Sequence, residues 1–161
     1  MTVSIAIETP LQDDVRDLVA SLNAHLLPLS PLEFQFKMSV EQMADSATTL
    51  FVARDKSGRA IGMGALKQHG PVLGEVKRMF IRPEARGQRV GRRILDRIVD
   101  LARERGLPML MLETGTGAGM DDAHRLYTRY GFVQRGPFLD YPESEWSAFF
   151  ELNLSAPAQV A

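Results

Sequence analysis

The chain contains no cysteine. Disulfides, thiolate metal sites and a cysteine nucleophile are therefore excluded, and a reducing cytoplasm is the expected location. Charge of one sign is also missing. The formal net charge is −1 at pH 7, which gives no electrostatic footprint for nucleic acid, so no nucleic-acid partner is expected. No apolar run approaches the roughly 20 residues that cross a bilayer, so no membrane partner is expected either. The opening residues MTVSIAIETP lack a basic region followed by an apolar core, the mark of a signal peptide. His25, His69 and His124 lack ligand spacing and patterned acidic companions, so no metal is expected and surface or satisfied-core roles are assigned to them.

What is present fits one soluble domain. The 161 residues, 45% hydrophobic and 24% charged, are enough for a single core. The domain is expected to span residues 1–154. The small, polar tail 155–161 is expected to be disordered. Val3, Ile5 and Ile7 alternate as in a strand. Thr9-Pro10 reads as the start of a helix carrying Val15, Leu18, Val19, Leu22 and Leu26 at helical spacing, which Pro28 and Pro31 end. A short helix is expected over 40–47, then strands over 49–54, 60–68 and 73–81. The clearest element is a helix over 88–105. Its apolar stripe is Gly91, Ile94, Leu95, Ile98, Leu101 and Ala102, and Gly106 stands where a left-handed cap belongs. A strand over 109–113, the loop GTGAG, a helix over 121–130 stopped by Gly131, and strands over 132–134 and 147–154 complete the order. Hairpin-joined strands mixed with βα units indicate an α+β or mixed α/β fold.

The most informative stretch is EVKRMFIRPEARGQRVG, from Glu75 to Gly91. A strand ends, a short turn follows, and a helix opens among arginines. First-turn N–H groups have no partner inside a helix, and the helix dipole is positive there. The ligand expected at that point carries phosphate.

These residues resemble the acetyl-CoA-binding core of GNAT superfamily N-acetyltransferases. Arg86-Gly87-Gln88-Arg89-Val90-Gly91 aligns with Gln/Arg-x-x-Gly-x-Gly/Ala, with Arg89 standing where the first motif glycine usually is. Leu126-Tyr127-Thr128-Arg129-Tyr130-Gly131-Phe132 resembles the LYxxxGF signature of the same superfamily. VKRMFIRPEARG, LETG and GPFLDYP further resemble a poorly characterised bacterial subgroup of small GNAT enzymes. The resemblance implies a GNAT-like α/β fold, with a mostly antiparallel mixed sheet of about six to seven strands and about four helices. It implies acetyl-CoA as co-substrate. Pantetheine would lie along Met79, Phe80 and Ile81, and the diphosphate on the amides of Arg86, Gly87, Gln88, Arg89, Val90 and Gly91 and on Arg92.

The same resemblance implies direct attack of an amine on the thioester. Tyr127 matches the family tyrosine near the sulfur and is expected to protonate the leaving thiolate, while Tyr130 is expected to be a core aromatic. Glu75 matches a glutamate that serves some members as general base. As a strand residue it reads equally well as the partner of a neighbouring Lys or Arg. Glu113 is a second carboxylate, on the next strand. The acceptor pocket would come from 26–40 and 136–146. There Phe34, Phe36, Met38, Phe138, Tyr141 and Trp146 suit a pocket, a homodimer contact or core packing, and Glu33, Asp140, Glu143 and Glu145 suit an ammonium group. A small amine, amino-acid-like or polyamine-like, is the expected acceptor, with a peptide N-terminus as the other candidate. A non-catalytic acyl-CoA-binding module is the alternative function. A nucleotide loop at GTGAG is disfavoured because it lacks the Lys-Ser/Thr of a P-loop.

Overall fold

A computed structural model describes residues 2–155; from 156 onward the expected tail lies outside the described residues. The order is β1 (Ser4–Ile7), α1 (Asp13–Leu26), α2 (Val40–Met43), β2 (Thr48–Arg54), β3 (Ala60–His69), β4 (Leu73–Ile81), α3 (Val90–Glu104), β5 (Met109–Gly115), α4 (Asp121–Tyr130), β6 (Val133–Arg135) and β7 (Ser147–Asn153). Two single 3₁₀ turns, Leu27–Leu29 and Leu32–Phe34, fill much of the segment between α1 and α2.

The seven strands form one sheet in the order β1-β2-β3-β4-β5-β7-β6. Every neighbouring pair is antiparallel except β4 and β5. This is the mostly antiparallel mixed sheet with four α-helices that the resemblance implied. The bounds differ most for the first two helices. The first helix begins at Asp13, because Thr9 Oγ1 accepts from the Leu11 N–H at 3.1 Å and closes a separate turn first. The second is a single turn, held by a capping box between Ser39 and Gln42, before Asp45 turns the chain by accepting from the Ala47 N–H.

The sheet is covered on both faces. On one face Ile94, Leu95, Ile98 and Ala102 of α3 pack with Phe51, Ile61, Leu66, Val76, Leu110, Leu112 and Phe150. On the other, Val15, Leu18, Val19 and Leu22 of α1 and Met43 of α2 pack with Leu50, Val52, Met63 and Phe80. Each fully buried large apolar side chain contributes about 1.5–3 kcal/mol of transfer free energy, so these stripes fix how the helices lie on the sheet.

Two irregularities in β4 shape the site. Its parallel ladder with β5 covers only Leu73↔Met109, Gly74↔Leu110 and Glu75↔Met111. Beyond it the strands continue to Ile81 and Gly115 without pairing to each other. On its other side β4 bulges: Ala65 faces Lys77 while Met63 faces Phe80, so Arg78 and Met79 together oppose Gly64. Arg78 takes a left-handed φ of 57°. The extra residue breaks strict alternation, so Val76 joins the α3-side core whereas Phe80 joins the α1-side core.

Candidate active site

Where β4 and β5 part, a cavity of about 920 Å³ opens. One wall is β4 from Val76 to Ile81, and Glu113, Thr114 and Gly115 of β5 stand opposite. The facing main-chain groups there have no strand partner, and such groups require one from elsewhere. A ligand carrying amides would supply it. One end of the cavity reaches the start of α3, lined by Arg86, Gly87, Arg89, Val90, Gly91 and Arg92. The other reaches His25, Leu26, Phe34, Gln35 and Phe36 beneath the α1–α2 connection.

The start of α3 is open to an anion. Its N-cap, Arg89, has φ 61° and ψ 21°, and no side chain caps the first-turn N–H groups. Gly87 is also left-handed, at φ 83°. Gly91 is required for a close approach: a Cβ there would stand 3.1 Å from Leu126 Cδ2, so the two helices that carry the glycine-rich and LYxxxGF-like segments touch at this point. The Arg92 guanidinium stacks on the Tyr130 ring at 5.1 Å.

Tyr127 points from α4 into the same cavity. Its ring is 6% exposed and packs on Phe132 and Phe150. Burial, and secondarily the nearby Glu113 carboxylate, push its phenol well above the ordinary value, so it remains protonated across the neutral range. Its hydroxyl has no hydrogen-bond partner among the described residues, whereas that of Tyr130 donates to Asp96 at 2.8 Å.

Two carboxylates, one on β4 and one on β5, lie in different surroundings. Glu75 is 3% exposed and held on both oxygens: His69 Nε2 lies 2.9 Å from Oε1, and Lys77 Nζ at 3.4 Å and the Tyr141 hydroxyl bond Oε2. It is not among the residues that line the cavity. Glu113 lines it. One of its oxygens accepts from Ser147 Oγ at 2.8 Å. Burial raises its pKa, opposed by the Ser147 hydrogen bond and by Lys77.

A splayed parallel strand pair, an open helix start beside it and a buried tyrosine facing the gap agree with one family. The model of the Acetyltransferase (GNAT) family matches residues 16–132. The chain belongs to the GNAT family. It is 43% identical over 155 residues to an IAA acetyltransferase of Azospirillum brasilense, covering 94% of this chain and 98% of that one. A Klebsiella pneumoniae crystal structure, of a protein provisionally assigned as an acyl-CoA N-acyltransferase, superposes with a TM-score of 0.79 at 30% identity, over 94% of this chain and 97% of that one. A GNAT acetyltransferase from Elizabethkingia anophelis with acetyl-CoA bound shares the fold at a TM-score of 0.64 and 20% identity, over 94% and 97% of the two chains. Family membership makes this chain an N-acetyltransferase that draws its acyl group from acetyl-CoA.

Of the residues this GNAT chain was expected to use, Tyr127, Met79, Phe80, Ile81, Arg86, Gly87, Arg89, Val90, Gly91 and Arg92 line one cavity, while Gln88 and Glu75 do not. Phe34 and Phe36, from the segment expected to build the acceptor pocket, line the same cavity. Met38 and Phe138 are core, Tyr141 is tied to Glu75, and Glu33, Asp140, Glu143 and Glu145 are exposed and away from it. His69 and His124 are hydrogen-bonded as expected, His124 to the Gly115 carbonyl at 2.7 Å, but His25 lines the cavity beside Phe80. Arg78, Gln35 and Thr114 were missed. Only a bulge puts Arg78 there, and strand alternation carries no signal for it. Among the described residues no cluster of His, Asp and Glu is disposed to hold a metal, and no helix is long and apolar enough to cross a membrane.

Proposed function

We propose that this enzyme transfers the acetyl group of acetyl-CoA to the primary amine of a small molecule, by direct attack within a ternary complex. The observation that carries the reading is the unpaired stretch of β4 and β5 opening onto the uncapped start of α3. Main-chain groups of Met79 to Ile81 would pair with the pantetheine amides. The first-turn amides of α3, with Arg92, would take the diphosphate. One face of the gap presents Tyr127 and the other Glu113, so donor and acceptor meet between them.

Glu113 fits the role of base better than Glu75. It lines the cavity with one oxygen unengaged by Ser147, and burial favours its taking a proton. Glu75 instead holds Lys77 and Tyr141 in place beside it. The amine, deprotonated by Glu113, attacks the thioester carbonyl. A main-chain N–H of β4 steadies the oxyanion, and the C–S bond breaks with its electron pair going to sulfur. The sulfur takes the Tyr127 proton, the proton shed by the attacking nitrogen as it becomes an amide restores the Tyr127 phenol, and the proton on Glu113 leaves to solvent. Calorimetry with acetyl-CoA, followed by thiol release against a panel of primary amines, tests this. Binding with amine-dependent CoA release is expected. Binding without turnover would instead favour a non-catalytic acyl-CoA-binding module, and no binding at millimolar concentration would remove the reading.

A further inference from the structure

Arg78 is the one arginine that the described structure buries, at 8% exposure. Its Nη2 donates to Asn23 Oδ1 on α1, its Nε has no partner, and no carboxylate pairs with it among the described residues. A guanidinium offers five N–H donors in a flat fork, so a single neutral acceptor leaves its buried Nε–H unpaired and further donors free for a ligand. Such a group costs several kcal/mol to bury and is weak ground for stability. Burial alone lowers its pKa to about 10, which leaves it charged at neutral pH. Its backbone is also held left-handed by the β4 bulge. Strain of that kind and an uncompensated charge in one residue, lining the reaction cavity, mark a place where a ligand completes the structure.

The neighbouring cation shows the contrast. Lys77 lines the same cavity but is already used, bonded to Glu75 and to the Tyr141 hydroxyl. Lys37, beside Phe36, also lines the cavity without an ion pair but is only half-buried, so Arg78 remains the buried positive charge there with no anionic partner among the described residues. It lies on the α1 face of the sheet, with Phe80, whereas α3, whose open start suits the diphosphate, packs on the opposite face. Glu113, which would meet the ammonium, lines the same cavity. Phe34, Phe36 and Leu26 add apolar wall.

We infer that the Arg78 guanidinium, oriented by Asn23, binds the carboxylate of the acceptor, so that the acetylated amine belongs to a free amino acid. This rests on the acetyl-transfer reading above and narrows it. A fork matched to a carboxylate gives bidentate recognition, and the same buried charge repels polyamines.

The test uses acceptor pairs that differ only by the carboxylate: glycine and methylamine, leucine and isopentylamine, phenylalanine and phenethylamine, lysine and cadaverine. With the native enzyme, kcat/KM for the acid member of at least one pair is expected to exceed that of its partner by about 100-fold, through KM. In Arg78→Met that ratio collapses to within a few-fold of one. Equal turnover of both members by the native enzyme would overturn the inference while leaving acetyl transfer intact. Equal losses for both members in Arg78→Met would also overturn it, assigning Arg78 to the oxyanion instead. A second measurement needs no turnover. In the CoA-saturated enzyme the Arg78 Nε–H resonance, assigned by its loss in Arg78→Lys, should move on addition of the N-acetyl acids and not of the N-acetyl amines. No movement with any N-acetyl acid would reject the carboxylate site even if transfer itself were confirmed.

Discussion

Arg89→Gly isolates a conflict between a side chain and the backbone that carries it. Arg89 caps α3 at φ 61° and ψ 21°, in the left-handed region, and has no capping hydrogen bond. An L-residue there is disfavoured by roughly 1–2 kcal/mol, whereas glycine adopts it freely. Glycine also gains more freedom in the unfolded chain, by about 0.5–1 kcal/mol. The difference leaves Arg89→Gly more stable by about 0.5–1 kcal/mol, or a rise of about 1–4 °C in Tm for a chain of this size. Coenzyme binding moves separately. The Arg89 guanidinium borders the cavity at the helix start, so its removal weakens acetyl-CoA by a few-fold in low salt and less in high salt. Arg89→Ala separates the two effects, since it loses the guanidinium and keeps the strain. Thermal unfolding and acetyl-CoA calorimetry on the native protein and both variants complete the comparison. The glycine variant should melt above the alanine variant by about 1 kcal/mol while binding the coenzyme alike. If the two variants melt together, the left-handed cap costs nothing and the argument is wrong.

Three further outcomes follow from the geometry. Tyr127→Phe should lower kcat about 100-fold with acetyl-CoA affinity intact, because the unpartnered hydroxyl is lost while the ring still packs on Phe132 and Phe150; unchanged single-turnover rates would remove its role as acid. Glu113 has its pKa raised by burial, and as a base it works only when ionised. The low-pH limb of kcat/KM should therefore lie above the ordinary carboxylate value of 4.5 and vanish in Glu113→Gln. The same limb, shifted by Glu75→Gln alone, would return the role to Glu75. Far from the site, Arg54 joins Glu8 at 2.7 Å and Asp14 at 2.6 Å, tying α1 to the sheet. Hydrogen bonds from Arg54 depress both carboxyls below 4.5 and 3.8. Their stabilisation is present above those values and is lost as pH falls through the depressed ones. Because the pair is partly exposed, Arg54→Met should cost only about 1 kcal/mol at pH 7, with the deficit disappearing in acid denaturation curves.

The sequence by itself determined most of the elements and picked out the helix start proposed for the coenzyme. Apolar period, caps and turns act over a few residues, so α3, α4, β4 and the left-handed Gly106 and Gly131 stand where the pattern put them. The motif from Arg86 to Arg92 was legible for the same reason: a helix start binds anions through its own backbone. Its one exception, Gln88, is exposed and does not line the cavity.

Tertiary structure alone decided which side chains reach the end of the cavity proposed for the acceptor. Where β4 leaves β5, and where β4 bulges against Gly64, depends on register between strands far apart in the chain. A single extra residue in that register moves every following side chain to the opposite face. That is why an evenly alternating strand gave no sign of Arg78 in the cavity, and why the sequence put Glu75 forward as the candidate base and Glu113 only second. One is enclosed by His69, Lys77 and Tyr141, the other opens onto the gap, and only long-range pairing distinguishes them.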